Sequence, residues 1–192
     1  MSYTEKRVSG ETMFTGKVFS VRRDEAVLHN GKRVTREVVE HNGGVVIVPF
    51  TDAGRILMVK QYRYPIGEEM LELPAGRLEP GEGHRKAARR ELSEETGYRA
   101  KHLMYLGVIY PSPGFCEEAL HMYVAFGLRR GEAHPDEDEF LTVKAMRPEK
   151  VLDMIKSSAI TDAKTIAGVF KAILCIMPDE LRGQDGGRVA RG

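Results

Sequence analysis

The stretch Gly76–Tyr98, GRLEPGEGHRKAARRELSEETGY, decides how this chain is read. From Gly83 to Thr96 its composition is helical. Ala87, Ala88 and Leu92 supply a narrow apolar stripe, and Gly97 stands where a helix C′ glycine belongs. On such a helix Glu91 and Glu95 are four residues apart and Glu91 and Glu94 three, so their carboxylates share one face. Like charges at that spacing repel, and a single guanidinium, Arg90, cannot neutralise three carboxylates.

Two readings follow. The face is a solvated acidic surface, with Arg89 and Arg90 as ordinary partners. Alternatively it is a cluster of hard oxygens. Such a cluster suits Mg²⁺, which binds one or two carboxylates and keeps the rest of its shell for water and substrate phosphates. Metal-assisted hydrolysis of a phosphoanhydride is then the expected chemistry.

Outward from this segment the chain reads as one α/β unit. Towards the N-terminus, Val45–Phe50 reads as a buried strand, with Arg55–Arg63 as its antiparallel partner across the turn at residues 51–54. A short strand is expected near Met70–Leu73. Further back, Val18–Leu28 and Arg33–His41 flank Asn30-Gly31, the signal for a hairpin with a type I′ turn. Their many charges argue against a place in the core. Towards the C-terminus, strands are expected at Leu103–Tyr110, Leu120–Leu128 and Leu141–Met146, and helices from Pro148 to about Lys156 and over Ala163–Met177. An acidic loop covers Gly131–Glu139, and the Gly- and Arg-rich end from Gln184 is expected to fray.

Composition narrows the function classes. The chain has 192 residues and a net charge of +1, so no global basic field draws in nucleic acid. The two cysteines, Cys116 and Cys175, fit reduced thiols better than a disulfide framework. Residues 1–10 lack the apolar core of a signal peptide, and no apolar run nears the roughly 20 residues that span a bilayer. A soluble, cytoplasmic protein with no membrane or nucleic-acid partner is expected. His84 reads as a solvated polar residue and Cys116 as structural.

The extended spacing of Gly76, Glu82, Arg90, Glu91, Leu92, Glu94, Glu95 and Gly97 resembles the Nudix box of the Nudix hydrolases. Tyr98, where a large aliphatic residue is usual, is the one departure. Gln61–Pro65 with Leu71–Gly76, Ser112–Phe115 with Glu117-Glu118, Asp136–Phe140 and Asp162–Thr165 are similar to segments of the ADP-ribose pyrophosphatase branch.

The resemblance implies a Nudix α/β/α sandwich with a mixed sheet, plus a small N-terminal β-sheet annex that reaches across a homodimer. The annex would be residues 1–42, the catalytic domain 43–182 and a disordered tail 183–192. It implies a nucleoside diphosphate-linked substrate, with ADP-ribose cleaved to AMP and ribose 5-phosphate. Alternatives are GDP-mannose or another nucleotide sugar, or a catalytically silent module sensing ADP-ribose. Mg²⁺, with Mn²⁺ as a substitute, would be held by Glu91 and Glu95, with Glu94, the Ala75 carbonyl and Glu82 in support. Arg90 would orient the cluster. Arg63 is a candidate phosphate clamp and Glu72 a candidate acceptor for a ribose hydroxyl. Phe19, Tyr62 or Phe115 would stack on the base. The water-activating base is expected outside the box, at Glu137 or Glu139 with Glu137 favoured, because a carboxylate bound to Mg²⁺ is a poor proton acceptor.

Overall fold

A computed structural model describes residues 3–131 and 140–176. Glu137 and Glu139, and the C-terminal tail, lie outside the described residues. The described chain runs β1 (Glu5–Thr15), β2 (Ser20–Leu28), β3 (Arg33–Glu40), β4 (Gly44–Pro49), β5 (Ile56–Arg63), β6 (Glu68–Glu72), β7 (Ala75–Arg77), α1 (His84–Thr96), β8 (Tyr98–Ile109), β9 (Leu120–Arg130), β10 (Leu141–Met146), α2 (Pro148–Lys156) and α3 (Ala163–Ile176).

The centre is a mixed sheet in the order β7-β4-β9-β8, with β4 and β9 parallel. β4 is buried on both faces, which is why it reads as a continuous apolar run. Val45 and Ile47 pack with Ala87, Ala88 and Leu92 of α1. Val46 and Val48 pack with Val169 and Ala172 of α3 on the other side. Each of these four β4 side chains is fully buried, worth roughly 1.5–3 kcal/mol apiece. The expected α/β/α layering therefore stands, with α1 and α3 as the outer layers.

One pairing differs from the sequence reading. β5 is not the ladder partner of β4; it lies in a second, antiparallel sheet, β10-β5-β6. A strand has two edges, and β7 and β9 occupy both edges of β4. The turn at residues 51–54 keeps only an isolated bridge between Phe50 and Ile56.

The N-terminal strands form a separate antiparallel sheet, β1-β2-β3. β1 starts at Glu5, earlier than the sequence suggests, and every one of its residues is exposed. A strand with no buried face leaves no apolar alternation to read. The Asn30-Gly31 hairpin also differs from expectation. Of the two, only Gly31 has positive φ, +83°, and its amide donates to the Leu28 carbonyl at 2.9 Å. The connection is a type I turn closed by a left-handed glycine, not a type I′ turn.

The annex is stitched to the rest of the chain through the loop after β8. The Val39 amide donates to Phe115 O at 2.7 Å, and the Glu117 amide donates back to Val39 O at 3.0 Å. Arg22 spans the junction. It donates to the buried Asp24 at 2.8 and 2.9 Å, to Glu40, and to Glu117 at 3.2 Å.

α3 approaches the centre closely: a Cβ on Gly168 would sit 2.7 Å from Leu73 Cδ1. Its first turn carries Thr165, fully buried, whose hydroxyl accepts the Leu73 amide at 2.8 Å. Thr165→Val keeps the shape and strands that amide. The expected loss is about 1–3 kcal/mol, or roughly 2–10 °C in melting temperature by calorimetry. An unchanged melting temperature would show that the bond contributes nothing.

Candidate active site

The expected helix is present as α1, and Gly97 closes it with φ +71° and an amide donating to Ser93 O at 2.9 Å. Its acidic face turns towards the 72–77 segment, which three bonds hold in place. Thr165 takes the Leu73 amide, the Ile47 amide donates to Pro74 O at 2.9 Å, and the Ala75 amide donates to Glu95 Oε2 at 3.1 Å. Glu95 is buried, at 3% exposure.

Gly76 explains the glycine that opens the box. A Cβ there would lie 1.9 Å from Glu91 Cδ and 2.1 Å from both carboxylate oxygens. The Glu91 carboxylate occupies the space a side chain would take. Gly76 is needed for this close approach, not for a left-handed backbone.

Arg90 organises the acidic face. Its Nη1 donates to Glu91 at 2.8 Å and to Glu94 at 2.9 Å. Its Nη2 donates to Glu82 at 2.9 Å and to the Arg77 carbonyl at 3.0 Å, and its Nε to Glu82 at 3.3 Å. The hydrogen bond from Arg90 holds the Glu82 carboxyl below the ordinary range. The Glu82 contact in turn raises the Arg90 guanidinium further above its usual value. Glu82 is thus the partner of Arg90, with its side chain only 2% exposed. Three carboxylates, Glu82, Glu91 and Glu94, accept from this one guanidinium, Glu79 lies 4.0 Å from it, and the negative excess remains.

Whether these groups suit a divalent cation is a question of donors and room. The donors are hard carboxylate oxygens, and the missing side chain at Gly76 lets the Glu91 carboxylate lie directly against the backbone of β7. Among the described residues no three carboxylate, imidazole or thiol groups converge on one point as a ready-made metal cage. Arg90 Nη1 bridges Glu91 and Glu94 instead. The donor set fits a weakly caged, water-rich ion such as Mg²⁺ better than a metal needing a closed shell.

Arg63 and Glu72 are brought together, but with each other. Arg63 grips Glu72 with two parallel bonds of 2.8 Å, from Nε and Nη2. Lys164 Nζ also donates to Glu72, and it lies 2.9 Å from Asp162 Oδ2. Burial pushes the Glu72 carboxyl up, but Arg63 and Lys164 outweigh it and hold it below the ordinary range. Leaving a buried carboxylate with no cation costs roughly 3–5 kcal/mol, so one of the two must stay.

Of the aromatic candidates, Phe19 lies beside Phe14, ring centroids 5.8 Å apart, and borders a concavity with Glu40, His41 and Glu117. Phe115 is exposed in the loop that meets β3, and Tyr62 is exposed on β5. Sequence reasoning gave no role to Lys164 or Thr165. Their partners, Glu72 and Leu73, each lie 92 positions away, so no local pattern announces them. His84 is not a solvated residue: it is half-buried, bonds Tyr123 OH through Nδ1, and stacks on His121 at 4.1 Å.

Gly76→Ala should displace the Glu91 carboxylate. The obstructing atoms end a flexible side chain, so stability should change by about 1 kcal/mol or less. Mn²⁺ affinity, read by calorimetry, should fall at least about tenfold. Undiminished affinity would remove Glu91 from any metal site.

A NUDIX domain model matches residues 40–168. The ADP-ribose pyrophosphatase of Bacillus subtilis is 42% identical over 166 residues, 85% of this chain and 90% of its own length. A protein of Bacillus methanolicus named methanol dehydrogenase activator is 41% identical over 169 residues, 87% of this chain and 91% of its own. Among solved structures, an ADP compounds hydrolase superposes with a TM-score of 0.78 over 94% of this chain and 96% of that one. At 24% identity that likeness speaks for the fold. With the match spanning both the carboxylate helix and the sheet that carries it, this chain belongs to the NUDIX family.

Proposed function

We propose that this chain hydrolyses the diphosphate bond of ADP-ribose, giving AMP and ribose 5-phosphate, with Mg²⁺ or Mn²⁺ as the required ion. The observation that carries the reading is the α1 carboxylate face, with Glu91 seated against Gly76 and Glu95 against the Ala75 amide. The similarity to a Bacillus subtilis ADP-ribose pyrophosphatase over most of both chains supports the substrate.

Glu91 and Glu95 would be the principal ligands, with Glu94 and the Ala75 carbonyl in support. The bound ion would polarise the anhydride oxygens and lower the pKa of the attacking water. Arg90 keeps the carboxylates apart and aimed, and Glu82 acts by holding Arg90. Arg63 would clamp a substrate phosphate through its planar fork. Glu72 would accept from a ribose hydroxyl, and it also holds Arg63 in place. Glu137 or Glu139 would take the proton of the water whose oxygen joins phosphorus as the bridging P–O bond breaks. Phe19, Phe115 and Tyr62 remain the candidates for stacking on adenine. The reaction would run in the cytoplasm, a setting that a chain with only two cysteines, Cys116 and Cys175, suits better than an oxidising one.

The test is a panel of ADP-ribose, GDP-mannose, ADP-glucose and NADH with Mg²⁺, products resolved by chromatography. ADP-ribose should give the highest kcat/KM, and absence of any diphosphate cleavage would sink the reading. Glu95→Gln can keep accepting from the Ala75 amide while losing its charge. It should fold normally and lose at least about 10²-fold in kcat. Glu137→Gln or Glu139→Gln should lose about as much with substrate binding kept. Wild-type rates in all three variants would contradict these roles. The Bacillus methanolicus relative favours a second reading, in which the chain acts on a dehydrogenase. A chain that cleaves nothing in the panel but raises methanol dehydrogenase turnover would decide for it.

We also propose a homodimer formed through the annex. β1 has no buried residue, and Val8, Met13, Phe14, Val18 and Phe19 are exposed apolar side chains on this sheet and its β1–β2 turn. Three strands with so little of their own to bury need a covering surface. Sedimentation at micromolar concentration should give twice the 21.5 kDa chain mass, and a monomer there would contradict this.

A further inference from the structure

The cluster around Glu72 pairs two cations, Arg63 and Lys164, with two carboxylates, Glu72 and Asp162. Glu72 is 1% exposed and has two cations, Arg63 and Lys164, on it at once. The two are placed differently. Lys164 is 16% exposed and tied into the start of α3, where Asp162 Oδ2 accepts both its ammonium, at 2.9 Å, and the Thr165 amide, at 3.0 Å. Arg63 stands at the end of β5 with 38% of its side chain exposed. Its charge is favoured by Glu72 first and also by Glu95 of α1 and by Asp162. Lys164 is the anchored inner cation and Arg63 the outer one.

We infer that Lys164 is a positioning residue that keeps Glu72 charge-compensated while Arg63 turns from Glu72 to an anionic group of the substrate. The inference rests on the reading of Arg63 as a phosphate clamp. Arg63 spends two parallel donors on Glu72, the same fork geometry a phosphate would claim. If Arg63 were the sole cation on Glu72, each substrate would have to strip a buried carboxylate of its counter-charge. With Lys164 bonded to Glu72 Oε2, that carboxylate stays paired throughout. Asp162 holds the ammonium in place, so Lys164 does not follow Arg63.

The experiment measures KM and kcat for Lys164→Met, Lys164→Arg, Glu72→Gln and Lys164→Met combined with Glu72→Gln. The substrate is whichever nucleoside diphosphate compound the wild type turns over best. Lys164→Met should raise KM at least about tenfold with kcat within about threefold, and Lys164→Arg should restore KM. In the Glu72→Gln background, where the carboxylate that Arg63 would leave carries no charge, Lys164→Met should change KM by less than about twofold. That double variant also stays informative if Lys164→Met alone folds poorly. An equal KM rise in both backgrounds, or a loss confined to kcat, overturns the inference. Arg63→Met, measured alongside, separates the two levels. A wild-type KM in Arg63→Met removes the clamp and the inference with it. A raised KM there with a wild-type KM in Lys164→Met removes the inference alone.

Discussion

One guanidinium holds the acidic face of α1 together. Glu82, Glu91 and Glu94 crowd around Arg90, and without a countercharge the first consequence would be repulsion along the helix. The planar fork of arginine solves a geometric problem as well as an electrostatic one. Its three nitrogens reach Glu82, Glu91, Glu94 and the Arg77 carbonyl at once, which ties the helix to the loop that precedes it. An ammonium at this position would offer the charge without the fixed directions. Because the fork spreads one positive charge over several acids, it aligns them without neutralising them. The surplus negative charge is what makes the face a candidate for a divalent cation.

A second constraint acts through β4. Its edges are filled by β7 and β9, and its faces by α1 and α3. β7 is only three residues long, yet it contains Ala75 and Gly76, which face Glu95 and Glu91. The short edge strand therefore carries the backbone of the site, and the fully buried strand beside it supplies the rigidity.

How much of this was legible depends on whether the information is local. The α1 helix, its glycine cap and its shared acidic face follow from spacing alone, because i, i+3 and i, i+4 neighbours are set by helix geometry. Most strand positions were legible for the same reason. The β4–β5 pairing was not, since adjacency suggested a hairpin and only the competition for strand edges shows otherwise. β1 escaped because a strand exposed on all its residues has no alternation. The type of the Asn30-Gly31 turn escaped because the same dipeptide serves two loop lengths. At the site, Arg63 and Glu72 were legible as chemistry but not as partners of one another. The Asp162–Thr165 segment was legible as a resemblance, but the contacts of Lys164 and Thr165 and the stacked His84–His121 pair were not, because each is made across dozens of residues.

The bond between Thr165 and the Leu73 amide also bears on the order in which the molecule can be made. A chain leaving the ribosome presents α1 and both sides of the central sheet long before α3 exists. Until α3 docks, the segment that faces Glu91 and Glu95 lacks the anchor at Leu73, and Glu72 lacks its inner cation. Lys164 and Thr165 are thus synthesised well after Glu72 and Leu73, each 92 positions after its partner. Contacts of that span are slow to form and come after the local ones. A nascent chain of this protein carries the α1 carboxylates well before it has the scaffold that aims them.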